Sequence, residues 1–156
     1  MKPEPNIFFS TLQSLANWAA GSSLWPFSFG ISCCAIQMMH AAASRIDLDR
    51  FGCLFRPSPR HSDLMIVAGS VTKKMSSQII TLYDQMLEPK YVIAMGICAI
   101  SGGLFKESES IVNGVGKLIP VDIEIPGCPP SPKDLAEAIL GLQRRIKNPI
   151  HLPATK

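Results

Sequence analysis

Residues 91–100, YVIAMGICAI, are a short unbroken apolar run closed by Gly96 and followed two residues later by Cys98. A run of this length, bounded by glycine, suits a strand buried on both faces, as strands of parallel sheets are. Residues 63–69, DLMIVAG, have the same form, and residues 117–127, KLIPVDIEIPG, hold a third such run. Helical patterns lie between and after them. SSQIITLYDQM (76–86) predicts a crossover helix. SPKDLAEAILGLQRRI (131–146) predicts the clearest helix of the chain: Ser131 is the cap, Pro132 opens the first turn, Asp134 stands three residues after the cap, and Arg144 and Arg145 close the end. CAIQMMHAAASR (34–45) predicts another, on its run of Ala and Met. Alternating strands and helices imply an α/β fold: a parallel sheet, right-handed crossovers and helices on both faces.

In such sheets, sites lie beyond the carboxyl ends of the strands. YVIAMG runs directly into Cys98, and VDIEIPG runs directly into Cys128. Two cysteines are thereby expected at the same edge of the sheet.

Upstream, NIFFSTLQSLANWAA (6–20) predicts a helix with Ile7, Phe8, Thr11, Leu12, Leu15 and Trp18 near a 3.6 period. Asn6 or Ser10 is the expected cap, and Gly21 the expected stop. This apolar face suits either the protein's own core or a partner or lipid surface. Three regions result: an N-terminal helix and arm (1–22) contacting a partner or membrane, an α/β domain (23–147) and a C-terminal tail (148–156). No internal repeat is present.

With 156 residues, the chain is long enough for one domain with its own core. Only 17% of residues are charged, against about 25% in typical soluble domains, so part of the surface is expected to be covered by other chains. A net charge of +3 without a basic run gives no case for nucleic acid. The apolar runs fall far short of the ~20 residues that span a bilayer. The N-terminus lacks the basic start and apolar core of a secretory signal. A reducing compartment is therefore expected, where five cysteines point to metal or redox chemistry rather than disulfides.

Those cysteines are Cys33, Cys34, Cys53, Cys98 and Cys128. Cys33 and Cys34 are adjacent, in GISCC. A [4Fe–4S] cubane takes one thiolate per iron. Adjacent residues reach two irons of one cubane only where the backbone turns between them, as at the start of a helix. Zinc also accepts four thiolates, but its sites usually present C-x₂₋₄-C pairs, and this sequence has none. Spacing favours iron–sulfur over zinc and leaves buried free cysteines as a third reading. Cys53, in DRFGCLFRPSP, reads as a small core residue. No GxGxxG is present, and NGVGK lacks the Walker spacing, so no nucleotide fingerprint is found.

GISCCAIQMMHAA (30–42), LDRFG (48–52), RPSPRHSDLMIVAG (56–69), LYDQMLEPKYVIAMGICA (82–99) and VDIEIPGCPP (121–130) together resemble the cluster-bearing 20 kDa subunit of complex I, the NADH-quinone oxidoreductase. The superfamily includes subunits of deazaflavin-dependent dehydrogenases and nickel-iron hydrogenase small subunits. The likeness runs from about Leu24 to Ile146. It implies a flavodoxin-like fold, with Cys33, Cys34, Cys98 and Cys128 as ligands of one terminal [4Fe–4S] cluster. It also implies a hetero-oligomeric translocase, with a large 49 kDa-type subunit, other iron–sulfur subunits and membrane subunits as partners. The expected place is peripheral, on the cytoplasmic side of the inner membrane, or the matrix or stromal side in an organelle. The substrate is a quinone held at the interface with the large subunit. Trp25, Met38, Met39, Phe55 and Arg56 match its pocket, and Gln37 and Arg60 are cluster-tuning positions. Gln37 departs from the family's usual Glu. GICAISGGLFKESES (96–110) lacks the aromatic-rich run of many members. The adjacent cysteines favour the quinone-reducing branch, since hydrogenase relatives generally carry C-x-x-C there. The alternative is the small subunit of a membrane-bound nickel-iron hydrogenase or a ferredoxin-dependent relative. On either reading the chain is not catalytic alone.

Overall fold

The computed structural model describes residues 7–148 of the chain. Among these residues, three of the four strands follow the apolar runs. They are β2 (Leu64–Ala68), β3 (Tyr91–Met95) and β4 (Ile123–Ile125). They pair in parallel, with Met65 opposite Val92 and Ala94 opposite Glu124. A further strand, β1 (Pro26–Gly30), pairs with β2 and places Ser28 opposite Ile66. β1 was not among the expected strands. It is only five residues long and opens on a proline, which a strand tolerates at its first position but which mutes the sequence signal.

Successive side chains of the central strands point to opposite faces. Leu64, Ile66, Ala68, Ile93 and Met95 pack on one face with residues of α2 (Cys33–Ala42) and α5 (Pro132–Lys147), notably Met38, Ala41, Leu135 and Ile139. Met65, Val67, Val92 and Ala94 pack on the other face with Ile79 of α3 (Lys73–Gln85) and Ala99 of α4 (Ile97–Ser101). Burial on both sides explains why β2 and β3 read as continuous apolar runs.

The ladder order, β1-β2-β3-β4, would not by itself bring α2 and α3 to opposite faces with crossovers of one hand. Arg56 resolves this. It makes a parallel bridge to Phe27, and its N–H donates to the Pro26 carbonyl at 2.8 Å. The neighbouring Trp25 carbonyl accepts from Leu64 on the β2 side. Successive carbonyls of a strand face opposite edges, so Arg56 lies on the outer edge of β1. The chain thus runs from β1 through α2 to that edge and then returns to β2. This is the flavodoxin-like order 2-1-3-4-5, with its second strand reduced to one bridge. Pro57 and Pro59, which lack the N–H a ladder needs, prevent it from growing.

Helix boundaries follow local chemistry. In α5 the Ser131 Oγ accepts from the Asp134 N–H at 3.3 Å, and the Asp134 carboxylate accepts from the Ser131 N–H at 2.9 Å, a full capping box. In α3 the Thr72 hydroxyl accepts from the Met75 N–H, so the helix begins at Lys73, before the expected start. α2 ends at Ala42, three residues short of expectation, because Ala43 turns extended. Only three residues of the expected 117–127 run are strand, and Val115–Lys117 forms a 3-10 turn. α1 (Ile7–Ser22) passes through Gly21, the expected stop. Gly21 instead lets α1 lie against α5, since a methyl there would sit 2.6 Å from Cγ of Lys147. Leu12, Leu15 and Trp18 of α1 remain exposed. The expected cap Asn6 and the residues from 149 onward lie outside the described residues.

Gln143 of α5 is a buried polar residue. Its Nε2 donates to the Phe51 carbonyl at 2.9 Å and lies 3.4 Å from the Cys53 sulfur. Replacing a buried donor leaves its acceptor unpaired. Gln143→Leu is expected to cost about 1–3 kcal/mol, read as a lower denaturation midpoint by chemical unfolding.

Candidate metal centre

Three strand ends are drawn together beyond the carboxyl edge of the sheet. The Gly96 N–H donates to the Ile125 carbonyl at 2.9 Å, and the Ile97 N–H donates to the Gly127 carbonyl at 3.0 Å. These bonds hold the turn after β3 against the turn after β4. Cys98 is the second residue of α4, and Cys128 lies three residues past β4. On the other side, Cys33 and Cys34 are the first two residues of α2, just beyond β1. The helix turn separates them: Cys34 is buried and Cys33 exposed.

Glycines bring the sulfurs and the backbone close. Gly96 has φ +94, and a methyl placed on it would lie 2.5 Å from the Cys34 sulfur. Gly103 has φ +53, and a methyl there would lie 3.0 Å from the Cys98 sulfur. The next residue, Leu104, gives its backbone N–H to the Cys98 sulfur and favours the thiolate there.

The four thiols act on one another. Burial, and after it the charges of Cys33, Cys98 and Cys128, push the Cys34 thiol up to about 11. Burial, then Cys128 and Cys33, also raise Cys98. Four thiolates gathered here repel each other and need positive charge among them. Metal ions supply that charge and displace the protons. Among the described residues, no three His, Cys, Asp or Glu form the compact set that a single metal ion needs. A cubane spreads its four thiolates over four irons. The donor chemistry and the glycine cradles fit that group: Cys33, Cys34, Cys98 and Cys128 are the residues that would hold it.

Cys53 stands apart. It is fully buried in the core, and burial followed by Asp49, none of the other cysteines, pushes it up to about 11.

The expected quinone-pocket residues form a second group. Met38, Met39 and Phe55, with Ser28 and Ala42, line a cavity of about 210 Å³. Beside it, the Arg56 guanidinium stacks over the Trp25 ring at 4.4 Å, an attractive cation–π contact. The Arg56 Nε is buried with no hydrogen-bond partner among the described residues. Gln37 lies one helical turn after Cys33 on α2. Arg60 is exposed on the 3-10 turn Pro59–His61, and none of the interactions that set Cys34 and Cys98 involves it. His40 and His61 are exposed, and His151 lies outside the described residues.

Parallel α/β topology with four thiols at the carboxyl edge defines the class: a flavodoxin-like domain that presents a thiol set suited to a cluster. Residues 32–142 match the family described as NADH ubiquinone oxidoreductase, 20 Kd subunit, and the chain belongs to that family. It is 56% identical over 145 residues to a subunit of the NADH-quinone oxidoreductase of Carboxydothermus hydrogenoformans, covering 92% of this chain and 87% of that one. Among solved structures it resembles a chain of the membrane-bound sulfane sulfur reductase, an archaeal respiratory membrane complex. That likeness has a TM-score of 0.82 and 40% identity, over 86% of this chain and 76% of the other.

Two substitutions separate ligand from core. Cys53→Ala should keep the full iron and acid-labile sulfide content while lowering thermal stability. Gly96→Val puts a carbon 2.5 Å from the Cys34 sulfur, and iron content, measured by metal analysis of the purified protein, should fall by more than half.

Proposed function

We propose that this chain is the electron-transfer subunit of a membrane respiratory complex of the NADH-quinone oxidoreductase type. On this reading, Cys33, Cys34, Cys98 and Cys128 hold the terminal [4Fe–4S] cluster, from which quinone is reduced at the interface with a large 49 kDa-type subunit. The observation that carries the reading is the placement of Cys33, Cys34, Cys98 and Cys128 just beyond the carboxyl ends of β1, β3 and β4, in a chain 56% identical to a subunit of NADH-quinone oxidoreductase.

The cluster supplies one-electron transfer. This chain's residues set its surroundings. The Leu104 N–H, directed at the Cys98 sulfur, would draw charge from that thiolate and raise the potential of a cluster held there. Quinone takes two electrons and two protons to become quinol, so electrons must arrive one after another. Met38, Met39 and Phe55 give an apolar, adaptable wall for an isoprenoid quinone. Arg56 follows Phe55 in the chain and carries its guanidinium over Trp25, so it would bring a positive charge near that wall.

Ile36 and Met39 on α2, after the tandem cysteines, and Ile97, Leu104 and Phe105, on either side of Cys98, are all exposed, as are Cys33 and Cys128. Exposed apolar surface of this kind marks a contact with another chain, and the large subunit is the proposed cover. Further iron–sulfur subunits would deliver the electrons. No helix of the described residues is long and apolar enough to cross a membrane, so attachment would run through partners, on the cytoplasmic side of the inner membrane. The exposed Leu12, Leu15 and Trp18 of α1 are proposed to meet a partner or the membrane surface.

The 40% identity to a chain of a sulfane sulfur reductase favours a second reading: the same subunit type in a complex whose electrons go elsewhere, as in the hydrogenase-like branch. Rapid mixing of the reduced complex with a short-chain quinone separates the two. Reoxidation within the turnover time supports the quinone reading; a signal that quinone leaves reduced supports the other.

Gln37 bears on proton coupling, because an amide cannot exchange a proton as a carboxylate does. The midpoint potential of Gln37→Glu is expected to fall more steeply with rising pH than that of the native chain, in redox titrations at several pH values.

A further inference from the structure

We infer that Ser32 is a positioning residue that fixes the backbone ahead of the tandem cysteines through the amide of Ser70. The inference rests on the reading of the four thiols as cluster ligands.

Ser32 is the N-cap residue of α2, with φ −142 and ψ −154, yet its side chain makes no cap hydrogen bond. A serine in this place ordinarily turns its oxygen onto an amide of the first helical turn. Here the Ser32 Oγ instead accepts from the Ser70 N–H at 3.0 Å, across the sheet. The backbone ladder between β1 and β2 has just ended, with the Ile31 N–H donating to the Ala68 carbonyl at 2.9 Å. Ser32 adds one more link beyond it, made by a side chain because the backbone is already turning into α2. The Ser70 hydroxyl lies farther off, at 3.5 Å from Ser32 Oγ.

An independent feature keeps this contact tight. Gly69 has φ +115, and a methyl there would collide with Ser32 Oγ and sit 2.9 Å from the Ser32 nitrogen. Only glycine allows the corner after β2 to press so closely on Ser32.

Two consequences follow for the thiols. The backbone one residue before Cys33 is pinned to the rigid centre of the sheet. The torsions at Ser32 aim α2, and therefore set where Cys33 and Cys34 together stand relative to Cys98 and Cys128. Ligands of one cubane drawn from three segments tolerate little error in that placement. Ser32 caps its own helix through its backbone carbonyl alone, which accepts from the Ala35 N–H at 2.8 Å, and this leaves its side-chain oxygen for the Ser70 amide. Outer residues of this kind orient metal ligands and tune the metal.

The test uses the assembled membrane complex, with the native chain, Ser32→Ala, Ser32→Gly, Ser32→Thr and Ser70→Ala. Reduced-state EPR, redox titration and amide hydrogen exchange are measured on each. Ser32→Ala and Ser32→Gly should keep iron and sulfide but show shifted g-values, a shifted midpoint potential and faster exchange in the segment holding the Ser70 amide. Ser32→Thr, which retains the acceptor oxygen, should restore the native values. Ser70→Ala retains the bonded amide and should leave them unchanged. Loss of the cluster in Ser32→Ala with retention in Ser32→Thr would carry the same conclusion. Native line shape and potential in both Ser32→Ala and Ser32→Gly would overturn the inference while leaving the cluster reading intact. A native complex with no such signal would overturn both.

Discussion

Everything at the carboxyl edge of this sheet depends on the close approach of the Cys34 sulfur to the backbone of Gly96. That contact joins the head of α2 to the end of β3. Gly96 is itself bonded to the end of β4 through Ile125. The strand ends cannot be spread apart without losing it, and no side chain can be added without filling it. The rest of the fold holds this geometry in place. Both faces of β2 and β3 are buried, so the platform under the thiols is closely packed.

The thiols are in electrostatic tension. Burial and mutual charge raise Cys34 and Cys98, while the Leu104 amide lowers Cys98. A protein with no use for four gathered thiols gains nothing from this arrangement. One that binds a positively charged centre gains attraction from every thiolate. Cys53, which is as deeply buried, shows the contrast: its partners are the Gln143 amide and the Phe51 carbonyl, contacts of a core residue.

Much of this was legible in the sequence where the signal was local. Apolar runs ending in glycine gave β2, β3 and the neighbourhood of β4. The serine–proline–aspartate pattern gave the start of α5. The runs into Cys98 and Cys128 placed two thiols on one edge. β1 and α4 are five residues each, too short to show a period, and β1 begins with a proline. The outer-edge bridge of Arg56 has no sequence signature, because a single residue cannot alternate. Gly21 read as a stop and proved to be a packing site, which only the position of α5 reveals. Ser32 and Gly69 belong to the same class: their contact spans distant segments, and neither residue type signals it. The quinone-pocket roles expected of Trp25, Met38, Met39, Phe55 and Arg56 rest on family likeness alone. The cavity gathers Met38, Met39 and Phe55, with Arg56 and Trp25 stacked beside it.

The central claim is that the tandem cysteines bind one cluster with Cys98 and Cys128. Low-temperature EPR of the dithionite-reduced complex, native against Cys34→Ala, tests it most directly. A [4Fe–4S] signal present in the native complex and absent in the variant, with the signals of the other subunits retained, is the predicted result. A signal that survives Cys34→Ala unchanged would contradict it.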